Sequence, residues 1–575
     1  MDNKYFKLRI LLVGILFFMA LAAIAAKAVH LQIYQSHWLS QIASDQYEKS
    51  FTTSGKRGII YDRNRREMAV SIKVTSIAAY PGRIADIQAT AEALADKLNL
   101  SARKIRHKLA LDKKFVWIKR QTTAKETRTV KDLKLPGIEF VQEYNRYYPN
   151  TTLAAQALGF TGLDGKGLEG IEFYYNRQLK GLRNKSKVFK DALGNGFRAE
   201  HGQLADTSGY NLVLTIDGNI QFIAESALLE AVDQYSADSA MAIVMQPRTG
   251  AVLAIAHYPT INPNSYLKFD RSLWRNRTVT DPFEPGSTMK IFSAVAALEY
   301  GDIKHDDLFF CENGSYKIGK NVVHDIVKHG WLSLQQIIKF SSNIGAVKIS
   351  KKVGAKNLYH TLQTFGFGTK TGIDCPGETT GSLSHYSSWS DMDIGAISFG
   401  HGIAVSAVQL ITAVSAIAND GILMKPYIVK EISDQNGNPV KGVKPTKVRR
   451  VISSRTARIV KNILKTVISE NGTGVNAALE RYSVCGKTGT ARKLDEEGHY
   501  SNNEHIASFV GFTPAEDPQI AILVVIDEPK GNYYGGVVAA PVFKKIAQQT
   551  LNYLNVPPTG DTTKFRVSVG KTVNG

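Results

Sequence analysis

Phe283-Glu284-Pro285-Gly286-Ser287-Thr288-Met289-Lys290 pairs a hydroxyl nucleophile with an amine one helical turn further on. Residues at i and i+3 share a helix face. The Pro-Gly turn ahead places Ser287 near a helix N-terminus, where unpaired N–H groups and the helix dipole favour developing negative charge. These residue types in this pattern suit acyl transfer through a serine alkoxide. The tetrad alone decides little, because Ser-x-x-Lys also begins at Ser101, Ser265 and Ser568.

What raises Ser287 above those matches is an ordered set: Ser341-Ser342-Asn343 follows it, and then Lys487-Thr488-Gly489-Thr490. Context separates these from their repeats. Ser469-Glu470-Asn471 runs into Gly472-Thr473-Gly474 and reads as a helix end, and Ser501-Asn502-Asn503 reads as a polar loop. Lys370-Thr371-Gly372 sits among glycines and a Cys-Pro-Gly, also a loop composition. Gly486-Lys487-Thr488 is not the end of a phosphate-binding loop, since the first glycine of that pattern would fall on Arg481.

Each motif has a chemical task in an acyl-transfer site. Lys290 is the candidate base, given burial and nearby positive charge to lower its pKa. Ser341 would relay a proton to the leaving group, and Asn343 would hydrogen-bond the amide of the substrate. Lys487 and Thr488 suit a substrate carboxylate, and Gly489 admits a close backbone approach. The N–H groups of Ser287 and Thr490 would form the oxyanion hole, where losing one donor costs about 2.7–4 kcal/mol.

With 575 residues the chain exceeds one hydrophobic core, so at least two globular units are expected, and a hydrophobic fraction of 43% supplies them. The formal charge of +20 is spread thinly, without clusters of Lys and Arg interleaved with stacking aromatics, which argues against nucleic acid as a partner. Cys311, Cys375 and Cys485 are too few for a disulfide framework and read as small core residues. No zinc signature such as His-Glu-x-x-His is present, and no metal is expected.

Ile10 to Ala26 is an uninterrupted apolar run with Lys4, Lys7 and Arg9 before it, about one bilayer crossing. Residues 1–9 are expected as a cytoplasmic tail, 10–30 as a single transmembrane anchor contacting membrane lipid, and everything beyond as extracytoplasmic. Small-x-small sites at Ala23-Ile24-Ala25 and Ala26-Lys27-Ala28 offer a cleaved signal as the rival. The run is longer than the usual ~7 to 15 residue signal core, which favours an anchor.

From 36 to 235 short strands and helices alternate, as in an α+β pedestal. Ala91, Leu94, Ala95 and Leu98 have helical spacing, and Phe115-Val116-Trp117-Ile118 reads as a strand. From 236 to 557 apolar hairpins at both ends predict a sheet, covered by helices such as 407–418 and 457–468. A polar tail over 558–575 is expected to be loosely ordered.

Taken with these motifs, the chain resembles the class B penicillin-binding proteins, and among them the transpeptidases of cell division. The resemblance covers nearly the whole chain. It includes Arg57-Gly58-Ile59-Ile60-Tyr61-Asp62-Arg63-Asn64, Arg146-Tyr147-Tyr148-Pro149, Gly167-Leu168-Glu169-Gly170-Ile171-Glu172 and Tyr533-Tyr534-Gly535-Gly536. It implies an α+β fold: a pedestal of penicillin-binding-protein dimerisation type, then a serine β-lactamase/transpeptidase-like domain with a central antiparallel sheet. Arg57, Gly58, Asp62, Arg63 and Asn64 would join the two domains. Arg65 departs from the family, which usually has glycine there, and puts the local turn in question. The resemblance also implies stem pentapeptides and β-lactams as ligands of Ser287, no cofactor, and a glycan polymerase of the SEDS family with other division proteins as partners. It implies a single-pass protein of the bacterial cytoplasmic membrane with a periplasmic catalytic domain. Rival readings are an elongation or sporulation transpeptidase, a β-lactam sensor and a serine β-lactamase.

Overall fold

The computed structural model describes residues 3–39, 48–181, 183–190, 196–198, 208–494 and 499–558. The tail expected over 558–575 lies, after Pro558, outside the described residues. The described residues divide into two compact units, one drawn from 1–55 and 181–208, the other from 56–180 and 209–575.

In the first unit an apolar helix, Asn3–Val29, carries no acidic residue in its first turn and is exposed along its length. Among the described residues it belongs to the one helical stretch, Lys4–Tyr34, long and apolar enough to cross a membrane. A three-stranded antiparallel sheet of Glu48–Ser54, Arg183–Lys190 and Gly196–Arg198 completes the unit.

Among the described residues the second unit contains two large sheets and three two-stranded ones. The pedestal sheet has seven strands, with Pro439–Gly442, Val429–Ser433, Asn211–Leu214, Ile60–Tyr61, Glu67–Ala79 and Val116–Thr122 in order, and Ile138–Tyr147 also paired with Glu67–Ala79. Two of its strands thus come from residues 429–442, far along the chain from the rest. Helix Ile87–Leu98 begins where the Asp86 side chain accepts from the Ala89 N–H and ends at Asn99 in a left-handed turn. Its Ala91, Leu94 and Leu98 meet Ile77, Val116 and Ile118 of the sheet in a separate small core.

The catalytic sheet has strands β1 (Ser239–Gln246), β2 (Ala251–Tyr258), β3 (Cys485–Leu494), β4 (Tyr500–Thr513) and β5 (Ile520–Asp527), all antiparallel, in the order β2-β1-β5-β4-β3. β1, β2 and β5 are buried along almost their whole length, so they read as continuous apolar runs rather than alternating ones. The helices that cover the sheet and form the site are α1 (Gly218–Tyr235), α2 (Lys290–Tyr300), α3 (Asn343–Val353), α4 (Ala407–Ala418), α5 (Ser454–Ile468) and α6 (Ala540–Tyr553). α1 and α6 pack together against the strands, and α4 packs against β1, β4 and β5. Every residue of α4 is buried, in keeping with a composition that is apolar all round except for Gln409, Thr412 and Ser415. Truncating Leu410 there to alanine would cost about 2–5 kcal/mol.

One local expectation is corrected. Ser501-Asn502-Asn503 is not a loop but the opening of β4. The β3–β4 hairpin continues past a register shift to pair Leu494 with Tyr500, and Tyr500 and Asn503 there are exposed, so the strand carries a loop-like composition.

Candidate active site

Ser287 lies in a tight turn, Gly286–Met289, that feeds directly into α2 at Lys290. The turn rests on β3. Gly286 has φ 55°, and a Cβ there would stand 2.8 Å from the Thr490 carbonyl oxygen. A Cβ on Gly489 would stand 2.3 Å from Ser508 Oγ and 2.9 Å from the Pro285 carbonyl oxygen. Both glycines let the nucleophile's turn and the strand edge lie in contact, which sets the Ser287 backbone beside that of Thr490.

Lys290 is fully buried and central to the cluster. Its Nζ lies 3.1 Å from Ser287 Oγ, 2.6 Å from the Ser341 carbonyl oxygen, 3.2 Å from Ser341 Oγ and 2.7 Å from Asn343 Oδ1. Burial pushes its pKa down to about 7, with the charge of Asp325 pulling the other way. A neutral amine that donates to the Ser341 carbonyl and to Asn343 Oδ1 keeps its lone pair for the Ser287 hydroxyl. Lys487, also fully buried, donates to Ser341 Oγ at 2.9 Å. Burial, and next the charge of Lys290, lower its pKa well below that of an ordinary lysine. The Ser341 hydroxyl therefore bridges two buried amines, each held below the pKa of an ordinary lysine.

Ser341 itself is left-handed, φ 62° and ψ 38°, between helix Leu334–Phe340 and α3. That conformation is uncommon for a residue with a Cβ and turns both its oxygens toward Lys290. Ser342 caps α3, accepting from the Gly345 N–H. The sequence motifs did not single out Asp325, which accepts from the Ser342 hydroxyl and the N–H groups of Asn343 and Ile344. They also missed Thr473, whose Oγ1 accepts from the Thr488 hydroxyl at 3.2 Å. An isolated acid between two apolar pairs, Val322-Val323 and Ile326-Val327, has no sequence signal; Thr473 had one, the Gly-Thr-Gly turn, which reads equally well as a helix end.

Ser287, Ser341, Asn343, Thr488 and Thr490 line an open cleft of about 1000 Å³, with Val322–Val327 on one rim and Tyr533 and Tyr534 on another. Lys487 lies behind this surface, in reach of Ser341 and of the Thr488 hydroxyl at 3.3 Å. Three residues before Ser287, Glu284 accepts from Tyr500 and pairs with His401 at 2.9 Å. A smaller cavity of about 180 Å³ beside His257, Arg277 and Asp527 contains none of the motif residues. The repeats set aside lie elsewhere: Lys370-Thr371-Gly372 is in a loop whose Thr371 is held by Glu378, and Ser469 ends α5.

The pedestal motif makes a buried network of its own. Arg57 Nε and Arg146 Nε donate to the two oxygens of Glu172, at 2.6 and 2.5 Å. Arg57 also reaches Asn176, and Arg146 the Gly58 carbonyl. Burial alone would raise the pKa of Glu172, but the charges and hydrogen bonds of the arginines hold it below the usual carboxylate range. Asp62 accepts from the N–H groups of Asn64, Arg66 and Gly218, while the Arg63 N–H donates to the Ile216 carbonyl. Asn64 donates to Asp217, which caps α1, and lies 3.3 Å from the Tyr553 hydroxyl at the end of α6. The turn at Arg65 forms without glycine, with Arg65 itself at φ 61°.

Residues 240–548 match the family model of the penicillin-binding protein transpeptidase domain, and residues 52–214 that of the penicillin-binding protein dimerisation domain. The chain belongs to the class B penicillin-binding proteins. It is 32% identical to the peptidoglycan D,D-transpeptidase FtsI of Escherichia coli, over 97% of this chain and 94% of that one. It is 33% identical to the stage V sporulation protein D of Bacillus subtilis, over 96% of this chain and 86% of that one. Among solved structures, penicillin-binding protein 3 from Mycobacterium tuberculosis complexed with aztreonam superposes with a TM-score of 0.69 at 27% identity, covering 89% of this chain and 98% of that one.

Proposed function

We propose that this protein is the D,D-transpeptidase that cross-links peptidoglycan stem peptides at the division septum. The observation that carries the reading is one fully buried amine, Lys290 Nζ, within 3.1 Å of Ser287 Oγ and joined through Ser341 Oγ to Lys487. Neutral Lys290 takes the Ser287 hydroxyl proton as Oγ attacks the carbonyl carbon of the penultimate D-alanine. The N–H groups of Ser287 and Thr490 receive the resulting oxyanion. When the intermediate collapses, the C–N bond breaks and Ser341 passes the proton from Lys290 to the nitrogen of the departing D-alanine. An amine of a second stem then attacks the Ser287 ester, giving a new amide and restoring the hydroxyl. Asn343 holds the amide backbone of the stem, and the hydroxyls of Thr488 and Thr490, with the Lys487 amine behind them, receive its terminal carboxylate. A β-lactam enters as the donor and remains as the Ser287 ester.

The Asn3–Val29 helix anchors the protein, with Lys4, Lys7 and Arg9 keeping the N-terminus cytoplasmic and the catalytic domain outside. Arg57, Asp62, Arg63 and Asn64 tie the pedestal, over about 36–235, to the catalytic domain, over about 236–557. Its resemblance to the division enzymes supports a SEDS-family polymerase among the division proteins as the source of the glycan strands it cross-links. The septal role rests on the resemblance of its motifs to the division enzymes. A sporulation role is the second reading, favoured by the 33% identity to a sporulation protein.

The test is intact mass of the full chain in detergent after benzylpenicillin, beside Ser287→Ala. A stable one-to-one adduct absent from the variant is expected. Rapid release would indicate a β-lactamase, and an adduct on the variant would overturn Ser287. Depletion in cells then decides the role: filaments without septa are expected, whereas normal division with defective spores would transfer the assignment to sporulation.

A further inference from the structure

We propose that Asp325 is a positioning residue for the acyl-transfer site, clamping the turn that presents Ser341 and Asn343 to Lys290. It comes from the stretch just after the strand Asn321–His324, 16 to 18 residues before the motif it holds, and no part of the motif includes it. One carboxylate oxygen accepts from two successive N–H groups, Asn343 at 2.5 Å and Ile344 at 3.0 Å. The other accepts from the Ser342 hydroxyl at 2.5 Å. With the Ser342 cap serving the Gly345 N–H at 2.9 Å, the first three N–H groups of α3 are all satisfied, two of them by a residue from another element.

The consequence reaches the reacting atoms through two neighbours. Asn343 donates through Nδ2 to the His324 carbonyl at 3.0 Å, so its Oδ1 is aimed at Lys290. Ser341 is held left-handed directly before the clamped turn, and a conformation of that kind persists only where its surroundings impose it. Asp325 is also the acid whose charge acts on Lys290, opposing the effect of burial. The charged groups around the turn are Lys290 from α2, Lys487 from β3 and Asp325 itself; His324 is adjacent in the chain, and the Cys311 thiol lies against Ser342. Helix capping alone, which any N-terminal acid provides, does not account for one carboxylate holding three successive residues, Ser342 and Asn343 of the motif and Ile344 after it.

The inference rests on the acyl-serine reading above, and the experiment separates the two. Full-length parent, Asp325→Asn and Asp325→Ala are compared for the second-order rate of acylation by a fluorescent penicillin, between about pH 5 and 9, with melting temperatures alongside. Failure of the parent to label would sink the acyl-serine reading itself; the ratio of variant to parent addresses Asp325. Asp325→Asn keeps shape and one acceptor but loses the charge. It is expected to slow acylation about tenfold or more at its plateau, the loss of a charged hydrogen-bonding partner. The acid limb of its pH profile should also move to lower pH. The sign follows from Lys290: without a nearby anion its ammonium form is less favoured, so the neutral base persists further into acid. Asp325→Ala is expected to be slower still. Acylation within twofold of the parent in both variants, or slowing of Asp325→Asn with an unmoved acid limb, would overturn the proposal and leave Asp325 a helix cap.

Discussion

The Lys290–Lys487 pair and the Arg57–Glu172–Arg146 triad are both cut off from water, yet they manage buried charge in opposite ways. In the triad a carboxylate sits between two guanidinium groups, and every oxygen of Glu172 is answered. In the pair two amines share one serine hydroxyl, and each is driven toward its neutral form. Opposite charges around a fully hydrogen-bonded carboxylate lock a structure; two buried amines, opposed at Lys290 by the charge of Asp325, keep a base ready near neutral pH. On the proposed function, the pedestal cluster serves the integrity of the fold and the cleft cluster its chemistry.

The largest effect that breaks this contrast comes from the pair. Lys290→Met should slow acylation by at least about 10⁴-fold, the scale of losing a member of a catalytic unit. Its melting temperature should be at or above the parent's, because a poorly solvated amine is replaced by an apolar chain of similar length. Rapid-mixing acylation and thermal denaturation measure the two. A fall of many degrees would mean that the amine holds the fold as well as the chemistry, and the contrast would fail.

The triad should answer in reverse. Glu172→Gln leaves two buried guanidinium groups without a counter-charge and should destabilise by about 3–5 kcal/mol, read from denaturant unfolding. Protein that remains folded should acylate at the parental rate. Slower acylation without lost stability would make the pedestal cluster part of the reaction.

Lowering the pH separates the clusters in one sample. Lys290 must be neutral to accept the Ser287 proton, so acylation should fall about tenfold per unit below its pKa of about 7. Glu172 has a folded pKa below its unfolded value of about 4.3, so its contribution to stability is present above that value and lost as the pH falls through the depressed one. Near pH 5.5 the protein should be folded but slow. Acylation that tracks the melting temperature across this range would show that both clusters report one unfolding event.

The residues proposed for catalysis were legible as a set because short spacings encode them: three residues from Ser287 to Lys290, two from Ser341 to Asn343. The catalytic sheet was legible because both faces are covered, leaving unbroken apolar runs at either end of the domain. What the sequence hides is pairing across long distances. Val429–Ser433 joins Asn211–Leu214 across more than two hundred residues, and nothing in either short strand specifies the partner. Asp325 and Thr473 were hidden for the same reason: ordinary polar residues become site residues only where the chain returns to α3 and β3. Ser501 misled because an exposed hairpin arm has the composition of a loop.

Arg65 gives the smallest effect and sharpens the pedestal side of the comparison. Its φ of 61° costs an L-residue about 1–2 kcal/mol that glycine would not pay. Against this, Arg65 donates to Glu431 at 2.9 Å, but its side chain is 54% exposed, and such a pair is worth about 0–1 kcal/mol. Glycine also gives the unfolded chain more freedom, which offsets about 0.4–1 kcal/mol of the relief. These terms nearly cancel, so Arg65→Gly should shift unfolding by less than about 1 kcal/mol and leave acylation unchanged. The turn survives either residue because Asp62 holds it, accepting from the N–H groups of Asn64 and Arg66 on either side of position 65. Destabilisation beyond about 2 kcal/mol would instead assign the Arg65–Glu431 pair a structural part, binding the turn to the borrowed strand Val429–Ser433.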